Sequence, residues 1–121
     1  MPTSQRQPEP SPLIEVNGWG IYAHPLFIDQ LEALTAEVEQ LRAKAPAGYR
    51  EKKKTKLLAA IHKMAFEVIP ADPASRIFIQ GSTLGKSYRH WHRGKFFDGR
   101  YRLFFRYATA ARAIVLAWVN D

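Results

Sequence analysis

At 121 residues the chain has room for one domain with one modest hydrophobic core, which excludes two independent catalytic modules. The absence of cysteine excludes disulfides, a thiolate nucleophile and a cysteine metal site, and it suits a reducing compartment such as the cytoplasm. Residues 1–48 carry net charge −3, whereas residues 49–121 carry +10. The second half is therefore expected to attract a polyanion, which leaves a phosphate backbone, an anionic membrane or an acidic protein as candidates.

The N-terminal residues 1–12 contain four prolines and no apolar run, which predicts a disordered leader and not the hydrophobic core of a signal peptide. The longest purely apolar run, Ala113–Val119, has seven residues. A membrane-spanning helix needs about 20 such residues. We therefore predict a single soluble domain over residues 13–121 that does not span a membrane.

Two helices are predicted after one short strand at residues 16–24, in which Trp19, Ile21 and Ala23 share a side. Pro25 suits the first position of a helix because it lacks an N–H. The first helix, ending near residues 43–49, has an apolar stripe formed by Phe27, Leu31, Leu34, Val38 and Leu41. The second helix, over residues 49–69 before Pro70 and Pro73, has an inward stripe formed by Leu57, Ile61, Met64 and Val68.

Two further segments of this region allow competing interpretations. The lysines at positions 52, 53, 54 and 56 are either a solvated helix start or an extension of a nucleic-acid surface. The segment QGSTLGKS, residues 80–87, resembles a phosphate-binding P-loop. Its glycines are one residue too close, and a strand pattern follows instead of a helix. Gly81 and Gly85 are thus expected to form a turn.

An alternating basic and aromatic pattern in YRHWHRGKFFDGRYRLFFRY, residues 88–107, predicts two strands joined by a turn at Asp98 and Gly99. Strand alternation places Arg89, Trp91, Arg93 and Lys95 on one face and Tyr88, His90, His92, Gly94 and Phe96 on the other. In the second strand it points Tyr101, Leu103, Phe105 and Tyr107 inward and Arg100, Arg102, Phe104 and Arg106 outward. A third strand, Ala113–Asn120, is nearly all apolar and is predicted to be a buried member of the same sheet. The predicted fold is α+β, an antiparallel sheet with helices on one face.

A polyanion-binding face follows from this alternation. Between Lys86 and Arg106 there are seven basic side chains and one acid, Asp98. Arginine forks fit phosphates and aromatic rings stack on bases, so single-stranded nucleic acid suits this face better than a membrane. The candidate RNA-binding residues are Lys86, Arg89, Trp91, Arg100, Arg102, Phe104 and Arg106.

A family resemblance is carried by VNGWGIYAHP, KLLAAIHK, GSTLG, HWHRGKFF, RYRLFFRY and IVLAWVND, in that order. Over residues 16–121 the chain resembles the YhaV family of toxins from bacterial type II toxin–antitoxin systems, within the RelE/ParE-like superfamily. The resemblance implies a RelE-like fold and a toxin that cleaves messenger RNA on translating ribosomes. It also implies a PrlF-type antitoxin, which would supply the DNA binding that regulates the operon.

The resemblance also implies a metal-independent reaction without a cofactor. Arg93 matches the arginine of the family's tryptophan-x-arginine segment and is expected to stabilise the transition state. Lys95, Arg100 and Arg102 would assist. His90 and His92 are candidate acids or bases because histidine titrates near neutral pH, with His90 preferred, but either needs a β-bulge near Gly94 to reach the arginine face. Tyr107 and Lys95 are the other candidates. His90 and His92, two residues apart without nearby carboxylates, make a poor metal site.

The C-terminus departs from the family pattern, in which a further, largely helical segment follows WVND. The resemblance therefore implies a domain shortened at Asp121. Two other functions stay open: a non-catalytic remnant that binds RNA, the ribosome or the antitoxin, and a ParE-like inhibitor of a protein target such as gyrase.

Overall fold

The computed structural model describes residues 11–78 and 91–120, with strands at both ends of this range and helices between them. The strands are β1 (Ile14–Val16), β2 (Trp19–Ala23), β3 (His92–Phe96), β4 (Tyr101–Ala108) and β5 (Ala113–Asn120). The helices are α1 (Pro25–Lys44), α2 (Lys53–Lys63) and the short α3 (Ile69–Ala71), with 3-10 turns at Tyr49–Glu51 and Arg76–Phe78 and a π-helical turn at Met64–Val68. The α+β prediction is confirmed.

The N-terminal strand pair differs from the single strand predicted for residues 16–24. Asn17 and Gly18 have φ values of 55° and 85°, so the chain reverses there and β1 pairs antiparallel with β2. Left-handed residues at both central positions of a two-residue turn match the twist of a hairpin, and Asn-Gly favours them. The prediction missed this hairpin because it extended one strand through the asparagine and glycine.

The sheet has the strand order β1-β2-β5-β4-β3. The pairs β1–β2, β3–β4 and β4–β5 are antiparallel, but β2 and β5 run parallel. The expectation of a purely antiparallel sheet was therefore wrong. The parallel pair arises because α1 and the rest of the chain connect β2 to β5, and such crossovers permit parallel neighbours.

Helix α1 begins and ends close to the predicted positions. Its first turn is capped by His24, whose Nδ1 accepts a hydrogen bond of 3.1 Å from the Leu26 N–H, and Pro25 is the first helical residue. Phe27, Leu34 and Val38 of the predicted stripe are buried. The stripe therefore packs in the core, as expected for an amphipathic helix.

The second predicted helix is interrupted at both ends. A 3-10 turn at Tyr49–Glu51 precedes α2, and the π-helical turn follows it. Ile61, Met64 and Ala65 are buried here, and Met64 reaches Gly94 of β3. A Cβ on Gly94 would lie 2.5 Å from the Met64 Sδ, so this glycine lets the helical layer approach the strand closely.

One face of the sheet carries the core. The inward residues Leu103 and Phe105 of β4 and Ile114 and Leu116 of β5 are fully buried with Ile21 of β2 and the helix residues above. The opposite face of β3, β4 and β5 is left uncovered by the described helices. In residues 11–78 and 91–120, no helix has the length and apolar character needed to cross a membrane.

The end of β5 extends beyond its parallel neighbour, and a side chain from α1 replaces the missing strand. Gln30 Oε1 accepts from the Val119 N–H and Gln30 Nε2 donates to the Val119 carbonyl, both at 2.8 Å. Since β2 pairs with β5 only as far as Leu116, this amide satisfies main-chain groups that would otherwise need water. The contact ties the start of α1 to the end of β5.

We expect Gln30→Ala to lower the free energy of unfolding by about 1–2 kcal/mol, because two hydrogen bonds to the main chain are lost at a partly solvated position. Urea unfolding followed by circular dichroism would measure the change. Gln40→Ala on the same helix is the matched control, because Gln40 is also exposed, and it should leave the midpoint unchanged. Equal midpoints for the two variants would contradict the structural role of Gln30.

Candidate nucleic-acid interface

Four cationic side chains share the sheet face that the described helices leave uncovered. The register pairs Arg93 with Phe104 and Lys95 with Arg102, which places them on the same side of the sheet. Arg106 follows on β4, opposite Val115 of β5. We call this surface of Arg93, Lys95, Arg102 and Arg106 the cationic face. The predicted division of these two strands into a basic and an apolar face is confirmed for the described residues.

The cationic face is electrostatically unfavourable by itself. Lys95 and Arg102 lie directly opposite each other, and like charges in that arrangement destabilise a strand pair. The ion pairs among the described residues, Lys54–Glu37 and Lys56–Glu51, both lie in the helical region. The four cations thus have no acidic partner in the described part of the chain, and an anionic ligand would relieve their repulsion.

Two arginines of the cationic face have partly buried side chains. The Nε atoms of Arg93 and Arg102 are buried and make no hydrogen bond within residues 11–78 and 91–120. A buried donor without a partner costs about 1–3 kcal/mol, so such groups call for an explanation beyond stability. Their guanidinium groups are partly desolvated, which strengthens their attraction to a bound phosphate.

Aromatic rings form the centre of the same face. Phe104 and Trp118 stack with centroids 4.7 Å apart, and Trp91 meets Trp118 edge-on at 5.5 Å. The Arg106 guanidinium lies 5.0 Å from the centre of the Trp91 ring. Phe104 is only 4% exposed, so it supports Trp118 from below and does not itself offer a free ring. Trp118 is half-buried, so it is the more accessible ring at the position that the alternation had suggested for Phe104.

Trp118 was missed as a site residue because the apolar strand at residues 113–120 was interpreted as wholly buried. Its side chain lies on the face of Phe104, its cross-strand partner, while Leu116 lies in the core. A register irregularity between Phe104 and Phe105, opposite Ala117, separates these two patterns. The sequence did contain a signal for this position of Trp118. Trp118 and the polar Asn120 are two residues apart, so strand alternation places them on the same face.

The turn between β3 and β4 confirms the prediction at Asp98 and Gly99. Phe97, Asp98 and Gly99 all have positive φ, and the Arg100 N–H donates to the Phe97 carbonyl at 3.0 Å. Arg100 therefore belongs to the turn and not to β4, and it lies 5.7 Å from the Tyr101 ring. It is exposed at the end of the hairpin, beyond the pair Lys95 and Arg102.

Two acid–base candidates are separated from the cationic face. His92 lies on the core side, with its ring 5.0 Å from Tyr107 and 5.5 Å from Phe105. The pairing of β3 with β4 is continuous from His92 to Phe96, so the β-bulge considered near Gly94 is absent from this strand pair. The alternation is confirmed: Tyr107 and His92 face away from Arg93.

The other sequence predictions concern residues away from the cationic face or outside the described part of the chain. Lys86, Arg89 and His90, together with the expected turn at Gly81 and Gly85, lie outside the described residues. Lys54 and Lys56 are engaged with glutamates at the helices. Among residues 11–78 and 91–120, no cluster of three or more histidine, aspartate or glutamate side chains could hold a metal ion.

Comparison with known proteins decides the family. The model of the YhaV toxin family, described as a toxin with endonuclease activity of a toxin–antitoxin system, matches residues 21–121. The chain belongs to the YhaV toxin family. It is 50% identical over 107 residues to Ribonuclease toxin YhaV of Escherichia coli strain K12, covering 88% of this chain and 70% of that protein. The same figures hold for Toxin YhaV of Escherichia coli O157:H7.

The YhaV-family chain also matches a chain in the crystal structure of the toxin–antitoxin complex RelBE2 from Mycobacterium tuberculosis. The TM-score is 0.56 at 13% identity, over 93% of this chain and 97% of the other. At that identity the match shows the fold alone, and it confirms the RelE-like prediction. As a member of a toxin–antitoxin family with endonuclease activity, the chain has an antitoxin as its partner.

Proposed function

We propose that this YhaV-family toxin cleaves messenger RNA on translating ribosomes and that the cationic face holds the strand to be cut. The observation that carries the proposal is the cationic face. Its four side chains have no acidic partner among the described residues, and the described helices leave this side of the sheet open. Supporting it, the curated relative at 50% identity is named a ribonuclease toxin. Arginine forks and the half-buried rings of Trp91 and Trp118 together suit single-stranded RNA.

The proposed reaction uses the RNA's own 2′-hydroxyl as nucleophile. A base takes the hydroxyl proton while the 2′-oxygen forms a bond to the adjacent phosphorus. The bond from phosphorus to the 5′-oxygen of the next nucleotide breaks, and an acid protonates that oxygen. Charge builds on the phosphoryl oxygens between these events, and the guanidinium groups of Arg93 and Arg102 would stabilise it.

Lys95 is the proposed proton donor to the 5′-oxygen. Arginine stays protonated in proteins, so among the four cations of this face only Lys95 can release a proton. Tyr107 and His92 lie across the sheet from Arg93, which argues against either of them acting at the same phosphate. The base that takes the proton of the 2′-hydroxyl would then be His90 or a group of the ribosome.

The proposed partners follow from the family. The antitoxin would be of the PrlF type, and it would carry the complex to operator DNA, while the toxin itself would act in the cytoplasm. Arg100 at the end of the hairpin would extend the RNA path beyond the four cations, and Arg89 and Lys86 stay predicted RNA-binding residues.

The function is tested by adding the purified chain to a bacterial translation extract and mapping RNA 5′ ends. We expect new ends within translated messages, fewer ends when ribosomes are omitted, and protection by the cognate antitoxin. Binding of a non-cleavable RNA should weaken steeply as salt rises, because bound phosphates release counterions. Intact messages together with salt-insensitive binding would exclude the proposal.

Lys95→Arg separates proton transfer from binding. The variant keeps the charge but cannot donate a proton, so we expect RNA affinity to change little while the cleavage rate falls by about 10²–10⁴-fold. Rates come from single-turnover cleavage of labelled RNA, and affinity from anisotropy with a 2′-O-methyl analogue. Lys63→Arg, on an exposed position of α2, serves as the control. Full activity of Lys95→Arg would assign the proton to another group.

A further inference from the structure

A shallow recess adjoins the cationic face where β5 meets the start of α1. It has a volume of about 410 Å³ and is lined by Leu26, Gln30 and Trp118. Leu26 is 57% exposed although it is a large apolar side chain. Such a side chain beside the half-buried ring of Trp118 gives the recess two apolar surfaces of the kind that ligand sites use.

The floor of the recess is held rigidly. Trp118 stacks on the buried ring of Phe104 at 4.7 Å and is met edge-on by Trp91 at 5.5 Å, so its ring has little freedom to turn. A ring fixed in this way loses little conformational entropy when a second flat group stacks on it. The opposite wall, Leu26, is the second residue of α1 and is fixed by the helix start.

The polar wall is equally fixed. Both hydrogen bonds between Gln30 and the Val119 main chain measure 2.8 Å, which determines the orientation of the amide. A glutamine amide has two N–H donors and two carbonyl lone pairs, so one donor and one lone pair stay available after these bonds. The recess therefore combines a flat aromatic surface, an aliphatic wall and an oriented amide.

The position of the recess relative to the cations identifies its ligand. Arg93, Phe104 and Trp118 are cross-strand neighbours in one row across β3, β4 and β5, and Leu26 lines the recess with Trp118 at the far end of that row. Adjacent strands lie about 4.8 Å apart, so a phosphate at Arg93 and a flat group at Trp118 are two strand spacings apart. Arg102 lies diagonally between them, opposite Asn120.

We propose that this recess binds an unstacked nucleobase of the single-stranded RNA whose phosphate is held at Arg93 and Arg102. The inference rests on the proposed RNA cleavage and adds a base-binding subsite to it. The base stacks on Trp118, contacts Leu26 at its edge and meets the free donor or acceptor of Gln30. Duplex RNA does not fit this subsite, because its bases are stacked and paired.

The test uses Leu26→Ala and Trp118→Leu in the full chain, with Leu13→Ala as the matched control. Leu13 is 56% exposed, almost the same as Leu26, but it precedes β1 at the far edge of the sheet. The probe is a short single-stranded RNA made of 2′-O-methyl nucleotides, which cannot be cut. We expect Trp118→Leu to weaken binding about 5- to 150-fold, Leu26→Ala about fivefold, and Leu13→Ala not at all.

Abasic nucleotides then locate the base. Placed one at a time along the probe, an abasic nucleotide should weaken binding to the original chain at one position, and Trp118→Leu should cause no further loss with that probe. Recess variants that bind every probe like Leu13→Ala would overturn the subsite while leaving RNA cleavage intact. Failure of the original chain to bind RNA at all would overturn both. Unchanged RNA binding with weakened antitoxin binding would assign the recess to a protein contact instead.

Discussion

Arg93→Ala is expected to lower the rate of RNA cleavage by about 10²–10³-fold, the usual cost of removing one preorganised donor from a transition-state site. The side chain lies on the edge strand β3 with its Nε buried, so its guanidinium is partly desolvated before RNA binds. Single-turnover cleavage of a labelled RNA in the presence of ribosomes would measure the loss. Growth arrest on induction should disappear with it.

Two companion variants make that result specific. Arg93→Lys retains the charge but loses the planar fork, and we expect it to recover binding better than cleavage. Arg42→Ala removes an equally charged, exposed side chain from the last turn of α1 and should behave as the original chain. If Arg93→Ala cut RNA at the original rate, the cationic face would be only a solubilising surface.

Gly94→Ala is expected to lower the free energy of unfolding by about 1–3 kcal/mol, because the new methyl group overpacks a filled site. The added Cβ would lie 2.5 Å from the Met64 Sδ and 3.1 Å from its Cγ. The Met64 side chain, the π-helical turn or β3 must shift, and β3 carries Arg93 and Lys95 on either side of the glycine. Cleavage should therefore fall along with stability.

A double variant separates crowding from other causes. Met64→Ala alone leaves a cavity, but in Gly94→Ala/Met64→Ala the new methyl group occupies part of it, so the double variant should be more stable than the sum of single effects predicts. Gly48→Ala is the control, because its Cβ would meet nothing within 4 Å and its φ is −117°. Urea unfolding gives all four values. Strict additivity would show that Met64 and Gly94 do not compete for space.

Local patterns predicted most of the helices and the β3–β4 hairpin. Pro25 and a regular apolar stripe marked α1, and strict alternation assigned Arg93 and Leu103 to opposite faces. The bounds of β5 also agree with the apolar run. These features depend on neighbours a few residues apart, so the sequence contains their signals directly.

The features that the sequence did not predict depend mostly on contacts between residues that are far apart in the chain. The parallel pairing of β2 with β5 joins residues more than 90 positions apart, and no local pattern encodes it. Trp118 lies on the face of Phe104 because of a register irregularity at Ala117, and Phe104 is buried with the Trp118 ring stacked on it. The hairpin at Asn17 and Gly18 is a local feature. The Asn-Gly pair favours such a turn, but a single strand was predicted there.

The strand order of the sheet has a consequence for how the toxin folds while it is being synthesised. β5 joins the hairpin β1–β2 to the hairpin β3–β4, yet it comes after both in the chain. While residues 113–120 are still inside the ribosome that makes them, the two hairpins have no common strand to pair with. A half-made molecule therefore lacks Trp118 beside the cationic face and the strand that pairs with β4. The five-stranded sheet, and with it the complete cationic face and its tryptophan, can therefore form only after the central strand has left the exit tunnel of the ribosome.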